Sequence, residues 1–175
     1  KRRNASLGEF IERFTRVVKM PAPEPRPTDV RELLEDLLRL YREPARARGV
    51  EVSLARVDEA PAVPLDRNLF EQALLNIAKN AVEAAEASAR ERGVPGRVDF
   101  ELRREGERVR LAVVDSGDRL GEVPPGQMFT PFFSTKKGGQ GIGLLFVREV
   151  LQRHGFAYRL APDGNGRTRF DVWLK

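Results

Sequence analysis

The chain has no cysteine, which excludes disulfides and thiolate metal sites and fits a reducing, cytoplasmic compartment. It has no stretch near the roughly 18 consecutive apolar residues that span a bilayer and no segment of signal-peptide pattern, which speaks for this fragment alone and leaves the whole protein room for an inner-membrane anchor. It shows no internal repeat, and it has no concentrated block of one charge. The formal charge of +5 and pI near 10 come from arginines scattered through amphipathic segments. They are not gathered into a basic patch with interleaved aromatics, so no nucleic-acid partner is expected.

What remains is an ordinary globular composition. Of 175 residues, 41% are apolar and 33% charged, enough for one domain with a real core plus an appendage. The opening Lys1-Arg2-Arg3 reads as a point inside a longer protein. Leu7, Phe10, Ile11, Phe14, Val17 and Val18 fall at helical spacing, giving one apolar stripe over residues 6–19. Ser6 with Glu9 has the pattern of a capping box. Pro21 to Pro27 (PAPEPRP) cannot continue a helix and reads as a stiff, extended linker. A second helix follows from a Thr28 or Asp29 cap to near Gly49, with Pro44 inside it.

Residues 50–56 alternate as a strand, and PAVPLD reads as a loop into a long helix from about Asp66 to Arg92. Residues 98–103 and 109–114 make a hairpin. The stretch from Ser116 to Gln140 is rich in glycine and proline without a sustained period, the mark of a functional lid. A helix from Ile142 to His154, closed by Gly155, leads into a last hairpin of residues 156–161 and 168–174. This mixture predicts an α+β fold, a two-layer sandwich of helices on a mixed, mostly antiparallel sheet.

Three signals in this frame carry chemistry. Asn76 and Asn80 are four residues apart in QALLNIAKNAVEAA, so they share one helix face. An amide oxygen is a hard, neutral ligand suited to magnesium. Lys79 offers a cation for phosphate oxygens, and Glu83 lies one turn further on. Asp115 ends an apolar strand, where a carboxylate is costly to bury without a donor such as the exocyclic amine of adenine. Gly117 lets backbone approach a flat base.

The third signal is the run Gly138, Gly139, Gly141 and Gly143 just ahead of a helix, where unpartnered amides and the dipole favour an anion. Lys136 and Lys137 precede it and suit a polyphosphate. The run matches neither the P-loop pattern nor a dinucleotide-binding fingerprint. Phe129, Phe132 and Phe133 read as a plug seating the lid. Each signal alone has a bland reading as solvated amides, a turn or a hinge. Their order gives them weight.

With these residues set out, the chain resembles the ATP-binding catalytic domain of bacterial sensor histidine kinases, within the group shared with gyrase-type, chaperone and mismatch-repair ATPases. The likeness runs from about Thr28 to Leu174. NIAKNAVEAA resembles the asparagine box, which implies Asn80 as the magnesium ligand and Asn76 as its polar neighbour. Asp-Ser-Gly resembles the first glycine box, with Asp115 recognising adenine beside Gly117.

FTPFFSTK resembles the phenylalanine box and GGQGIGL the second glycine box. The resemblance therefore places Thr135, Lys136, Lys137, Gly139, Gln140, Gly141, Ile142, Gly143 and Leu144 around the nucleotide. GNGRTRFDVWL resembles the final strand, putting Thr168 near the base. The proline-rich linker followed by LLEDLLRLY is most similar to kinases of the nitrogen-regulation type. Arg119 stands where the first glycine box has its second glycine, implying a rebuilt start of the lid.

The resemblance implies ATP and Mg2+ as cofactors, with transfer of the γ-phosphoryl to a histidine outside this fragment for relay to a response regulator. It implies residues 1–20 as part of a dimerisation hairpin, through which the whole protein forms a homodimer. Residues 21–27 are then the linker and 28–175 the catalytic domain. Hydrolytic relatives place a glutamate where Asn76 stands, and an amide cannot accept a proton at neutral pH.

His154 lies about 16 Å from the last glycine of the cradle at helical rise. It reads as a helix end, its ring favoured by the dipole, rather than as a phosphoacceptor. Two other readings share this frame: a serine/threonine kinase of the same fold and a degenerate nucleotide-binding scaffold.

Overall fold

The striped helices and alternating strands resolve into two layers in the computed structural model, which describes residues 2–118, 123, 126–130 and 141–174. Helix α1 spans Arg2–Val18, strand β1 Arg26–Thr28, α2 Val30–Ala47, β2 Val50–Val57 and β3 Val63–Leu65. Then come α3 Arg67–Arg92, β4 Gly96–Glu105, β5 Arg108–Asp115, α4 Gly143–His154, β6 Ala157–Pro162 and β7 Thr168–Leu174. A five-stranded sheet runs β2-β4-β5-β7-β6. β2 lies parallel to β4, and every other pair is antiparallel. This is the mixed, helix-covered sandwich that the sequence predicts.

Period-two alternation gives the sheet its two faces. Val98, Phe100 and Leu102 of β4, Leu111 and Val113 of β5, and Phe170 and Val172 of β7 are buried in one core. They share it with Leu33, Leu34 and Leu37 of α2 and with Phe70, Leu74 and Ile77 of α3. Burying each such side chain fully stabilises the fold by about 1.5–3 kcal/mol, so the sheet fixes α3 as the floor on which a site is built.

Capping sets the helix starts. Asp29 accepts from the Arg31 and Glu32 amides at the head of α2, and Asp66 accepts from the Leu69 amide at the head of α3. Of the two caps the sequence offers for α2, Asp29 is the one used. Thr28 instead ends β1, buried.

Three expectations need correction. Helix α1 starts at Arg2, so Ser6 lies inside it and is no cap. The supposed extended linker ends in β1, and the supposed loop PAVPLD contains β3; the two pair antiparallel from Arg26↔Leu65 to Thr28↔Val63. Local sequence does not reveal this ribbon, because each strand has three residues and a proline, and only the pairing stabilises them. Pro44 lies inside α2, which continues to Ala47, as the sequence reading has it.

His154 also behaves differently from a charged ring at a helix end. Its Nε2 accepts the Asp66 amide at 2.9 Å, which leaves the proton on Nδ1 to donate to the Val150 carbonyl at 2.7 Å. A neutral ring, stacked on Phe156 at 5.3 Å, thus fastens the end of α4 to the start of α3. His154→Ala should lower stability by about 1–3 kcal/mol, because a part-buried amide loses its acceptor. Urea unfolding checks this, and an unchanged midpoint would remove the clamp from the account.

Candidate functional site

The long helix α3 is the common element of the site. Its inward stripe, Leu74, Ile77, Ala78, Ala81 and Val82, is buried, which turns Asn76, Asn80 and Ala84 toward the segments that follow β5 and precede α4. A Cβ on Gly117 would lie 2.8 Å from the Ala84 Cβ and 2.7 Å from the Asp115 Oδ1. A Cβ on Gly143 would lie 3.1 Å from the Asn76 Oδ1. Simple volume therefore requires glycine at Gly117, while at Gly143 a side chain would press on the Asn76 amide and make it give way. The first glycine motif touches α3 at Ala84, and the second touches it two turns earlier at Asn76. At 1.5 Å per residue the two contacts are about 12 Å apart, with Asn80 midway.

The far end is organised around Asp115. Only 5% exposed, it accepts the Gly117 amide at 2.8 Å. Burial pushes its carboxyl up to about 7, and that amide opposes the shift. Thr168 sits opposite Asp115 in the β5–β7 register, and its hydroxyl donates to the Gly117 carbonyl at 2.9 Å.

Ser116, which sequence reasoning passed over, extends the β4–β5 ladder by one step. Its amide donates to the Arg97 carbonyl at 2.9 Å, and its hydroxyl accepts the Arg97 amide at 3.0 Å. Arg92 at the end of α3 pairs with Asp118. Four hydrogen bonds and an ion pair thus hold residues 115–118 in place, and the carboxylate arrives preorganised. The alternating strand pattern stops at Asp115, so nothing in periodicity marks Ser116. Its place inside Asp-Ser-Gly is the only signal.

At the near end, Asn76 Nδ2 donates to the Gln72 carbonyl at 3.0 Å, which fixes its oxygen toward Gly143. Asn80 and Glu83 are half-buried and engaged within the molecule; burial raises the Tyr41 hydroxyl pKa, and the charge of nearby Glu83 adds to it. Lys79 is exposed. Helix α4 begins differently from α2 and α3: Ile142 precedes it and supplies no side-chain cap, so among the described residues no cap side chain accepts from its first amides.

Gly141 has φ +66°, the left-handed conformation that turns the chain into this helix. Ile142 serves packing, buried with Leu145 against Val17 of α1. Leu144 packs on the main core. Phe129 seats against Tyr158 and Phe170, with ring centroids 5.1 and 6.1 Å away, as the plug reading requires. Phe132, Phe133, Thr135, Lys136, Lys137, Gly138, Gly139 and Gln140, with Arg119 and Gly121, lie outside the described residues.

The donor set fits magnesium of a particular kind. Among the described residues no group of three His, Cys, Asp or Glu could cage a metal. An amide oxygen such as that of Asn80 suits an ion that keeps its waters and takes its other ligands from phosphates. Among the described residues no helix is long and apolar enough to cross a membrane.

The family profile described as "Histidine kinase-, DNA gyrase B-, and HSP90-like ATPase" matches residues 65–175. The nitrogen regulation protein NtrY of Azorhizobium caulinodans is 31% identical over 99% of this chain and 22% of its own length. The chain spans between about a fifth and a little over a third of the curated relatives it matches.

Among solved structures, the catalytic domain of histidine kinase ThkA is 25% identical with a TM-score of 0.72, over 86% of this chain and 95% of that domain. ThkA in complex with response regulator protein TrrA gives 0.78 at 21% identity, over 99% of this chain and 48% of that one, a likeness of fold. Full-length ShkA in complex with AMPPNP gives 0.76 at 27% identity, over 97% of this chain and 35% of that one.

Proposed function

This chain belongs to the histidine kinase-, DNA gyrase B- and HSP90-like ATPase family, and we propose that it is the ATP-binding catalytic domain of a sensor histidine kinase of the nitrogen-regulation type. The observation that carries this reading is the two-ended contact of α3, with Gly117 and buried Asp115 at Ala84 and Gly143 at Asn76. That spacing suits a nucleoside triphosphate laid along the helix, base at one end and phosphates at the other.

In this reading the Asp115 carboxylate accepts the exocyclic amine of adenine, and Thr168 holds the Gly117 carbonyl clear of the base. Asn80, midway, would hold the Mg2+, which would supply charge neutralisation to the phosphates. The uncapped amides of α4 beyond Gly141 and Gly143 receive phosphate oxygens, with Leu144 seating that turn on the core. Lys79, Glu83, Thr135, Lys136, Lys137, Gly139 and Gln140 complete the surroundings. Asn76 is a neutral amide already committed to Gln72, so it orients and does not remove a proton. Phosphoryl transfer draws mainly on positioning and charge stabilisation, so such a pocket suffices when the acceptor brings its own base.

That acceptor is a histidine outside this fragment, since both ring nitrogens of His154 are engaged in the fold. Residues 1–20 are then part of the dimerisation hairpin, residues 21–27 the linker and residues 28–175 the catalytic domain. The partners are ATP, a second copy through that hairpin, and the receiver domain of a response regulator.

Titration with a fluorescent ATP analogue, with and without magnesium, tests the reading on wild type and Asn80→Ala. Magnesium should tighten binding to wild type, and the variant should lose most of that gain, about tenfold, as one hydrogen-bond-strength contact to the ion is removed. Equal magnesium dependence in both proteins would take the metal away from Asn80. No analogue binding to wild type would end the proposal.

A further inference from the structure

The sheet face turned away from the helices is charged, and its charges are layered. Asp171 is 1% exposed beneath Arg110, Arg159 and Arg169, at 3.5, 3.4 and 2.9 Å. Asp99, 7% exposed, receives Arg97 at 2.9 Å and Ser53 at 2.8 Å, with Arg167 at 3.7 Å. Glu101, 14% exposed, pairs with Arg169 at 2.9 Å and Arg103 at 3.2 Å. Three guanidiniums lie outermost, the side chains of Arg97, Arg159 and Arg167 being 59%, 63% and 40% exposed, while Arg110 and Arg169 lie lower at 18% and 17%. Counted as pairs the face is nearly balanced, but the three carboxylates at its centre, Asp171, Asp99 and Glu101, lie underneath, and the layer above them is cationic. Glu51 on the edge strand β2 and Glu105 at the end of β4, the latter 42% exposed and paired with Arg110 at 2.8 Å, are exposed acids at its margin.

We propose that this face docks on an anionic lipid bilayer surface. Five strands spaced about 4.8 Å apart make a platform roughly 20 Å wide, broad and without the projecting helix or ribbon that would enter a nucleic-acid groove. The planar guanidinium fork matches phosphate oxygens in pairs. Here each fork is already steadied from below by a carboxylate, so little ordering remains to be done on docking. Trp173, half-buried on β7, stands in register with Arg110 on one side and Ala157 on the other. An indole beside arginines is the composition of a bilayer interface.

Trp173 is the one tryptophan of the chain, which makes its emission a reporter of this face alone. The test mixes the protein at low salt with vesicles of equal parts phosphatidylglycerol and phosphatidylcholine, or of phosphatidylcholine only. The protein should sediment with the anionic vesicles alone, its emission should shift to the blue, and roughly 0.5 M salt should release it. Arg97→Gln with Arg159→Gln should weaken partition about thirtyfold, from about fivefold for each arginine near an anionic surface. Arg97→Lys with Arg159→Lys should keep most of it.

Both pairs of substitutions leave Asp171 with two arginines and Asp99 with Ser53 and Arg167, so the fold is retained. The salt release and the wild-type emission shift need no variant at all. Failure to sediment, sedimentation with Trp173 emission unmoved, or equal partition of the glutamine variant would each overturn the proposal. So would binding of poly-glutamate with none to vesicles, which would point to an acidic protein instead.

Discussion

Asp115→Asn should make the empty domain more stable at pH 8 and a poorer nucleotide binder. Burial raises this carboxyl from 3.8 to about 7, so between those values the folded state holds a proton that the unfolded chain has released. Its contribution to stability is complete below the unfolded value and is lost as pH rises through about 7. Above that, the buried charge costs on the order of 4 kcal/mol. Asparagine has the same shape, keeps an oxygen for the Gly117 amide and escapes that cost.

Thermal unfolding at pH 5 and pH 8 checks this: the variant's advantage should be large at pH 8 and shrink toward pH 5. In wild type, affinity for an ATP analogue should fall as pH drops below about 7, because the ionised carboxylate is the better acceptor for an amine. The variant should lose that pH dependence, bind adenine nucleotides about 1–3 kcal/mol more weakly, and discriminate less against guanine. A variant with wild-type affinity and selectivity would sink the adenine assignment, whatever the stability data show.

Gly117→Ala should be worse than its single methyl suggests. The new Cβ would meet the Ala84 Cβ at 2.8 Å and the Asp115 Oδ1 at 2.7 Å, closer than such atoms approach. The chain at 115–118 is tied to β4 by Ser116 and to β7 by Thr168, so it cannot simply step aside. Overpacking of this kind costs about 1–3 kcal/mol. The part of the movement that the ladder does not absorb must displace the carboxylate. Nucleotide affinity should fall at least about tenfold, with the melting temperature down by several degrees. Ala84→Gly in the same chain should recover part of both, since it removes one of the two obstructing atoms. No recovery would place the obstruction at Asp115 alone.

Much of this is legible in the sequence itself. Periodicity gave α3, α4 and the two hairpins because each buries a full face, and the burial and the pattern have one cause. The ribbon of β1 and β3 was hidden because proline in each strand argues locally for a loop, and only long-range pairing overrules it. Ser6 looked like a cap because the pattern was present, but a helix whose preceding residues are good helix formers starts earlier.

At the site, motif order points to Asn76, Asp115, Gly117, Gly143 and Thr168; the fold sets Gly117 against Ala84 and Gly143 against Asn76 of α3, with Asp115 and Thr168 side by side on β5 and β7 next to Gly117. Ile142 was assigned to the nucleotide, yet its side chain packs on α1, because a short motif does not say which of its members point outward. Ser116 and Ala84 were missed for the opposite reason: their work is done by an amide, a hydroxyl and a single methyl, which leave no pattern.

The clamp at His154 has a consequence for which sequences this fold accepts. α4 meets α3 at two points, His154 on Asp66 and Gly143 on Asn76. Along α3 those points are about 15 Å apart, and along α4 about 16 Å, so the helices lie antiparallel as two rulers read at both ends. One residue inserted between Gly143 and His154 would slide one scale by about 1.5 Å and turn it by about 100°. Either the ring would leave the Asp66 amide or the glycine would leave the asparagine. Point changes on the outer face of α4 are tolerable, whereas a change in its length is not, so the interval between this glycine and this histidine is a length standard that drifting sequences must keep.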